Sequence, residues 1–292
     1  ARDIWAAAGP LPGSVAEAYL RFRGVQPAPG AKIRAASALS YWHEVDGRWT
    51  VIHTGPAMVA AIQGRDMAFI GCHCTWIDSG FSSRSGKAAI AHPRTGEILD
   101  AKKVRGSQKG GHIHLGGSPN AQQLVLGEGI ETVYSVREAM IASGRYEMGK
   151  WQFWAAVNLG NIGGRSLRSV AHPEDMITDK LGRSRKRMIP GPVPDLSDQN
   201  CVEPPAHVTH VLLLGDGDSD HAMTENVLRR PVEETGGSVR RLEGMTGVSL
   251  PGIVPVRGTA TASGRDWIGL RTTNDSVLAP LVYRLSVDPR DP

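Results

Sequence analysis

Hydrophobic and polar positions divide the chain into two differently patterned halves. From Ser14 to Arg23, Val15, Ala18, Tyr19 and Phe22 recur at helical spacing, which predicts a short amphipathic helix capped by Ser14 and stopped at Gly24. Between Ala31 and Leu115 the pattern shortens to β-like runs such as Trp49 to His53 and Ala68 to Ile77, broken by Gly, Ser and Pro. That stretch predicts a mixed, sheet-containing lobe. A sharper rhythm begins at Gln123, where Leu124, Val125 and Leu126 form a buried-type strand running into Gly127, Glu128 and Gly129. Val133, Val136, Arg137 and Met140 then fall along one side of a predicted helix that Gly144 can end. Phe153 to Val157 predicts another strand, followed by a loop from Asn158 to Gly164. Val211 to Leu214 predicts a third, leading through Gly215, Asp216, Gly217, Asp218, Ser219 and Asp220 into a helical segment around Met223 to Leu228. Pro231 is expected to kink or end that helix. Strands followed by helices in this order imply an α/β fold with a parallel sheet.

Length and composition refine this picture modestly. A chain of 292 residues can bury one substantial core and is expected to divide into two lobes. The expected division is an N-terminal lobe over 1–120, a second domain over 121–275 and a C-terminal tail over 276–292. Residues 163–206, rich in Gly, Pro and charge, exceed what short βα units require and read as an insertion. No apolar run approaches the roughly 18 residues that would cross a membrane. The 33 Lys and Arg against 29 Asp and Glu leave a net charge of +4, which permits a polyanion partner without requiring one. Cys72, Cys74 and Cys201 form no disulfide framework, so a reducing compartment and a cytoplasmic location are expected. A chain beginning at Ala1 without a leader pattern reads as a processed chain or an excised fragment, the fragment being the favoured reading.

Candidate chemistry collects at the predicted carboxyl ends of strands, where open α/β sheets present functional groups. Glu128 lies between two glycines that allow a tight turn, and Asp216 and Asp218 are separated by one Gly, so both carboxylates could address one cation. Each motif also has a structural reading. Glu128 would favour the positive end of the following helix, and Asp216 to Asp220 would make a turn with an N-cap.

The two motifs together, a buried strand ending in Gly127-Glu128-Gly129 and another ending in Asp216-Gly217-Asp218, resemble the Toprim domain of bacterial-type primases, topoisomerases and some nucleases. Glu128 to Thr132 resembles the entry motif of phage and mobile-element primases, and Gly264, Arg265, Asp266 and Trp267 are similar to the closing segment of that subgroup. Ala18 to Gly24, Thr75-Trp76 and the basic stretch Lys102 to Gly111 resemble, more loosely, the region preceding Toprim in primase-helicases. The resemblance implies a Toprim-type, Rossmann-like parallel sheet preceded by a mixed α+β lobe. It also implies primer synthesis by nucleotidyl transfer, with Glu128, Asp216 and Asp218 catalytic and metal-binding, and Mg²⁺ or Mn²⁺ as cofactor. Single-stranded DNA template and nucleoside triphosphates would be the partners, together with a helicase domain or protein. Asp220 has an N-cap role, an auxiliary metal role, or both open to it. Ile268 and Gly269 stand where many relatives carry polar or acidic residues, which removes any further acidic role there.

Basic residues add to the expectation. Lys102, Lys103, Arg105 and Lys109 could contact template or triphosphate phosphates, or lie on a solvated face. Arg165, Arg168, Arg183, Arg185, Lys186 and Arg187 make the insertion basic, so it reads either as a nucleic-acid clamp or as a solvated loop. Cys72-His73-Cys74 with His112 and His114 offers zinc-type ligands, but alternation along a strand sends His73 to the opposite face from the two cysteines, and a core strand is the better reading. No Walker A sequence is present. A Toprim nuclease and an inactive nucleic-acid-binding module are the alternatives to a primase.

Overall fold

The computed structural model describes residues 1–180, 182–198, 200–215, 219–235, 238–241, 253–260, 265–272 and 282–286, the last part from residue 231 onward as backbone only. Two compact units make up the chain, Ala1–Gly116 and Gly117–Pro292. The protein is α/β, with several sheets of mixed strand orientation. No helix among the described residues is long and apolar enough to cross a membrane.

The first unit contains α1 (Arg2–Ala7), α2 (Val15–Phe22), β1 (Ile33–Val45), β2 (Arg48–Gln63), β3 (Phe69–Trp76), β4 (Ile90–Ala91), β5 (Ile98–Leu99) and β6 (Lys102–Gly106), while β7 (Ile113–Gly117) spans the boundary in sequence. In α2 the Ser14 hydroxyl accepts the Glu17 N–H at 3.2 Å, and the Glu17 carboxylate accepts the Gly13 N–H at 2.7 Å, a variant of the capping box. Tyr19 and Leu20 are fully buried. β1, β2, β3 and β6 form an antiparallel sheet in that order. Asp46 and Gly47 join β1 to β2 with φ of 51° and 75°, the left-handed pair that a two-residue hairpin turn needs. Period-two alternation puts Cys72, Cys74 and Trp76 into a core with Tyr41, Ala57 and Val59, against which Ile4 and Trp5 of α1 pack.

The second unit adds β8 (Gln123–Gly127), α3 (Ile130–Ala142), β9 (Trp151–Ala155), α4 (Leu159–Gly163), β10 (Ser169–Thr178), β11 (Ser184–Pro190), β12 (His210–Leu214), α5 (His221–Thr235), β13 (Ser238–Arg241), β14 (Ile253–Ala260), β15 (Arg265–Thr272) and β16 (Val282–Ser286). Its main sheet runs β13, β16, β12, β8, β9. β8 pairs in parallel with both β9 and β12, whereas β16 is antiparallel to β12 and to β13. One core of this unit joins Leu124 and Leu126 of β8, Trp154 of β9, and Val211 and Leu213 of β12 to Leu159 and Ile162 of α4 and Val227 and Leu228 of α5. α3 packs along β8 and β9.

One expectation is corrected and two are made more definite. The sheet is mixed, because the segment read as a tail contains β16, whose Val-Tyr-Arg-Leu-Ser pattern has β-strand propensity. The stretch read as an insertion, either a nucleic-acid clamp or a solvated loop, holds an antiparallel hairpin, β10 with β11. Pro231 does not end α5, which continues to Thr235. One missing backbone donor is outweighed by a capped N-terminus and the burial of Val227, Leu228 and Arg230 just before it.

Candidate functional site

β8 and β12 are parallel neighbours in register from Gln123 with His210 to Gly127 with Leu214. Their carboxyl ends therefore leave the sheet side by side, about 4.8 Å apart at the usual strand spacing. Glu128 follows on one and the buried Gly215 on the other. Glu128 is half-buried. Asp216 and Asp218, the other two predicted catalytic acids, lie outside the described residues, as does Gly264. Gly127 has to be glycine. A Cβ there would sit 2.9 Å from Val133 Cγ2 and 3.1 Å from Leu214 Cβ, so the close approach of α3 to β8 and β12 depends on its absence. α3 begins at Ile130 with Gly129 as N-cap, no side-chain bond from the cap residue, and Glu131 in its first turn.

Downstream of Asp216 and Asp218 in sequence, Asp220 caps α5: its Oδ1 accepts the Met223 N–H at 2.9 Å, and its carbonyl accepts the Thr224 N–H at 2.8 Å. The same carboxylate ties down the β10–β11 hairpin. His172 Nε2 lies 3.3 Å from Oδ1, and Arg187 binds Oδ2 while also holding Asp175 at 2.8 Å. Partial burial pushes the Asp220 pKa up, but the Met223 N–H, Arg187 and His172 outweigh it and hold the carboxyl below its ordinary value. His172, Asp175 and Asp220 can bring ligand atoms within 4.8 Å of one another, a spacing one cation could bridge. The hydrogen bonds favour a different use. His172 Nδ1 accepts the backbone N–H groups of Glu174 at 3.1 Å and Asp175 at 2.7 Å, so the ring proton belongs on Nε2, which donates to Asp220. A metal at that nitrogen would have to displace both the proton and the neighbouring guanidinium. The cluster is an ion-pair clamp holding the hairpin against the start of α5, and no spacing rule joins His172 to Asp220 in the sequence.

Arg230 reinforces the arrangement from below. Only 2% exposed, it donates through Nε to the Gly191 carbonyl at 2.8 Å and through Nη1 to the Gly164 carbonyl at 2.6 Å, linking α5 to the ends of β11 and α4. Gly163 permits α4 to approach: a Cβ there would lie 2.4 Å from the Val227 carbonyl oxygen.

In the first unit, the predicted phosphate contacts separate into two kinds. Lys103 is engaged by its own fold, donating from Nζ to the Trp42 carbonyl at 2.7 Å and lying 4.0 Å from the Tyr41 ring centroid. Burial, then the nearby Arg105, lower its pKa. Arg105 is half-buried and pairs across from Cys72 on the core-facing side. Lys102 is half-buried on β6, and Lys109 is exposed after it. Cys72 and Cys74 are fully buried with their sulfurs 3.9 Å apart, and among the described residues no third His, Cys, Asp or Glu joins them in a metal-sized group. The bond to Cys72, together with burial, pushes the Cys74 thiol far above its ordinary value. Burial, then His114, lowers the His112 pKa to about 3, and burial, then Lys32, lowers that of His114. All of these are core groups.

The family model of a domain of unknown function, DUF7146, matches residues 1–115, so the similarity covers the first unit. No curated protein matches the chain, and no solved structure does.

Proposed function

We propose that the second unit is a Toprim-type catalytic domain and that the chain synthesises RNA primers on single-stranded DNA by nucleotidyl transfer. The observation that supports this reading is the parallel pairing of β8 with β12, in which Gly127 and Leu214 are register partners and the next residues lead to Glu128 on one side and towards Asp216 and Asp218 on the other. The strands that precede the two acidic motifs, whose first acids are 88 residues apart in sequence, thus end side by side at one sheet edge, as the shared-site reading requires.

In this reading Glu128, Asp216 and Asp218 would hold Mg²⁺ or Mn²⁺, since carboxylates suit hard cations that keep water positions for phosphate oxygens. The bound ion would supply charge stabilisation to the attacking and leaving oxygens of the transfer. Glu128 lies just before the α3 N-terminus, where the helix dipole favours negative charge. In this reading Asp220 serves indirectly, capping α5 and holding Arg187 rather than ligating metal.

The test is labelled-nucleotide incorporation on single-stranded DNA, with a cleavage control, for the parent chain and for Asp216→Asn and Asp218→Asn. Each substitution should reduce synthesis by on the order of a hundredfold or more, equivalent to about 2.7 kcal/mol of transition-state stabilisation, while template binding changes little. Synthesis at the parental rate in both variants rejects the centre. Cleavage without synthesis by the parent, lost in both variants, identifies a Toprim nuclease instead.

A further inference from the structure

The β1–β2 hairpin continues past its pairing with β3, which meets β2 only from Ala57 onward, and this two-stranded end carries an exposed aromatic face. Trp42 stands opposite Val51, and Glu44 opposite Trp49. Directly paired residues share a face, as do residues two apart, so Trp42, Glu44, Trp49 and Val51 lie together, with the indoles on a diagonal about 7–8 Å long. Trp49 is 63% exposed, Trp42 45% and Val51 40%. The core does not claim these rings. On the reverse side the hairpin is already filled: His43 packs edge-on against His92 with ring centroids 5.3 Å apart, and Lys103 lies over Tyr41.

Charge indicates what the face receives. Residues 1–116 carry 14 Lys and Arg against 8 Asp and Glu, a net charge of +6, while the whole chain carries only +4. At the hairpin tip Arg48 is exposed, and Arg94, 69% exposed, pairs with Asp46. Flat indoles presented to solvent within a cationic unit suit a ligand with π faces and a regular run of negative charge. A single-stranded nucleic acid has both, because its bases are free to stack while its phosphates meet the cations. A duplex hides its base faces. We infer that Trp42 and Trp49 form a stacking platform for unpaired bases, with the phosphates of the strand drawn to the unit by its net positive charge. The inference rests on the reading of this chain as acting on single strands, and it assigns to the first unit a place where such a strand is held.

The experiment is fluorescence anisotropy of a fluorescein-labelled oligothymidylate with the full chain in EDTA, so that metal chemistry plays no part. Trp42→Ala and Trp49→Ala should each weaken binding by about 5- to 150-fold, the range for loss of one base stack, without changing the slope of affinity against salt. Trp→Phe at either position should restore most of it. Glu44→Gln should tighten binding, since the carboxylate is the one repulsive group among the four, and matched duplex should respond little to any tryptophan variant. Parental affinity in both alanine variants, with thermal melts showing them folded, overturns the platform, as does absence of binding by the parent. Sedimentation provides the remaining arm: a parental dimer that Trp42→Ala renders monomeric, with oligonucleotide binding unchanged, gives the face to a second copy of the chain and also overturns it. Loss of binding in the alanine variants of a chain with no synthetic activity keeps the platform and removes the primase reading. Synthesis by a parent whose tryptophan variants bind normally does the reverse.

Discussion

The Asp220 clamp separates two explanations of one acidic residue, and substitution can tell them apart. Asp220→Ala removes the acceptor for the Met223 N–H, the negative charge beside Arg187 and the partner of His172. Loss of an N-cap alone costs about 1 kcal/mol, within a range of about 0.5–2. For a unit of this size each kcal/mol lowers the melting temperature by about 2–4 °C, so Asp220→Ala should melt several degrees below the parent. Asp220→Asn keeps a good capping oxygen but discards the charge, and should lose less, with its deficit shrinking as salt screens the parent's ion pairs. The pH dependence carries the same signature. Because the folded pKa of Asp220 is depressed, its contribution is fully present above the unfolded value near 3.9 and is lost as pH falls through the folded value. The difference between parent and Asp220→Asn should therefore narrow only in acid. Differential scanning calorimetry with and without EDTA checks the assignment. If the parent melted lower in EDTA and Asp220→Asn removed that sensitivity, the cluster would be a metal site and the clamp argument would be refuted.

Two other outcomes follow from packing and burial. Gly127→Ala should cost about 1–3 kcal/mol by overpacking against Val133 and Leu214, and because it displaces the strand end before Glu128 it should also reduce synthesis; urea titration showing parental stability would contradict the close approach. His112 is held neutral by burial with a pKa of about 3, so the unfolded chain gains a proton below about 6.5 while the folded chain does not, and stability should fall by about 1.4 kcal/mol per pH unit over that window. In His112→Gln that slope should flatten between pH 7 and pH 5 by about 2 kcal/mol in all, read from urea midpoints, and identical slopes would show that the imidazole titrates freely.

Local pattern was enough for several elements of both units. Ser14 to Phe22, Gln123 to Gly127, the α3 segment and Val211 to Leu214 each carry a complete local signal, because a cap, a periodic apolar face or a buried run needs nothing beyond its neighbours in sequence. The placement of Glu128 after a strand and before a helix was legible for the same reason. Pairing was not. That β12 lies beside β8 in register, that β16 runs against β12, and that a hairpin occupies the middle of residues 163–206 are consequences of long-range hydrogen bonding that no window of sequence contains. The same limit hid the chemistry of single side chains. Lys103 and Arg187 look alike as basic residues in polar stretches, yet the fold commits one to Tyr41 and the Trp42 carbonyl and the other to Asp220 and Asp175. Trp42 and Trp49 read as ordinary strand aromatics until the register puts them on one exposed face. Sequence determined which segments become strands and helices, because propensity and periodicity act over a few residues. Tertiary structure decided which charges are spent internally and which surfaces remain open, because those depend on partners brought together from distant parts of the chain.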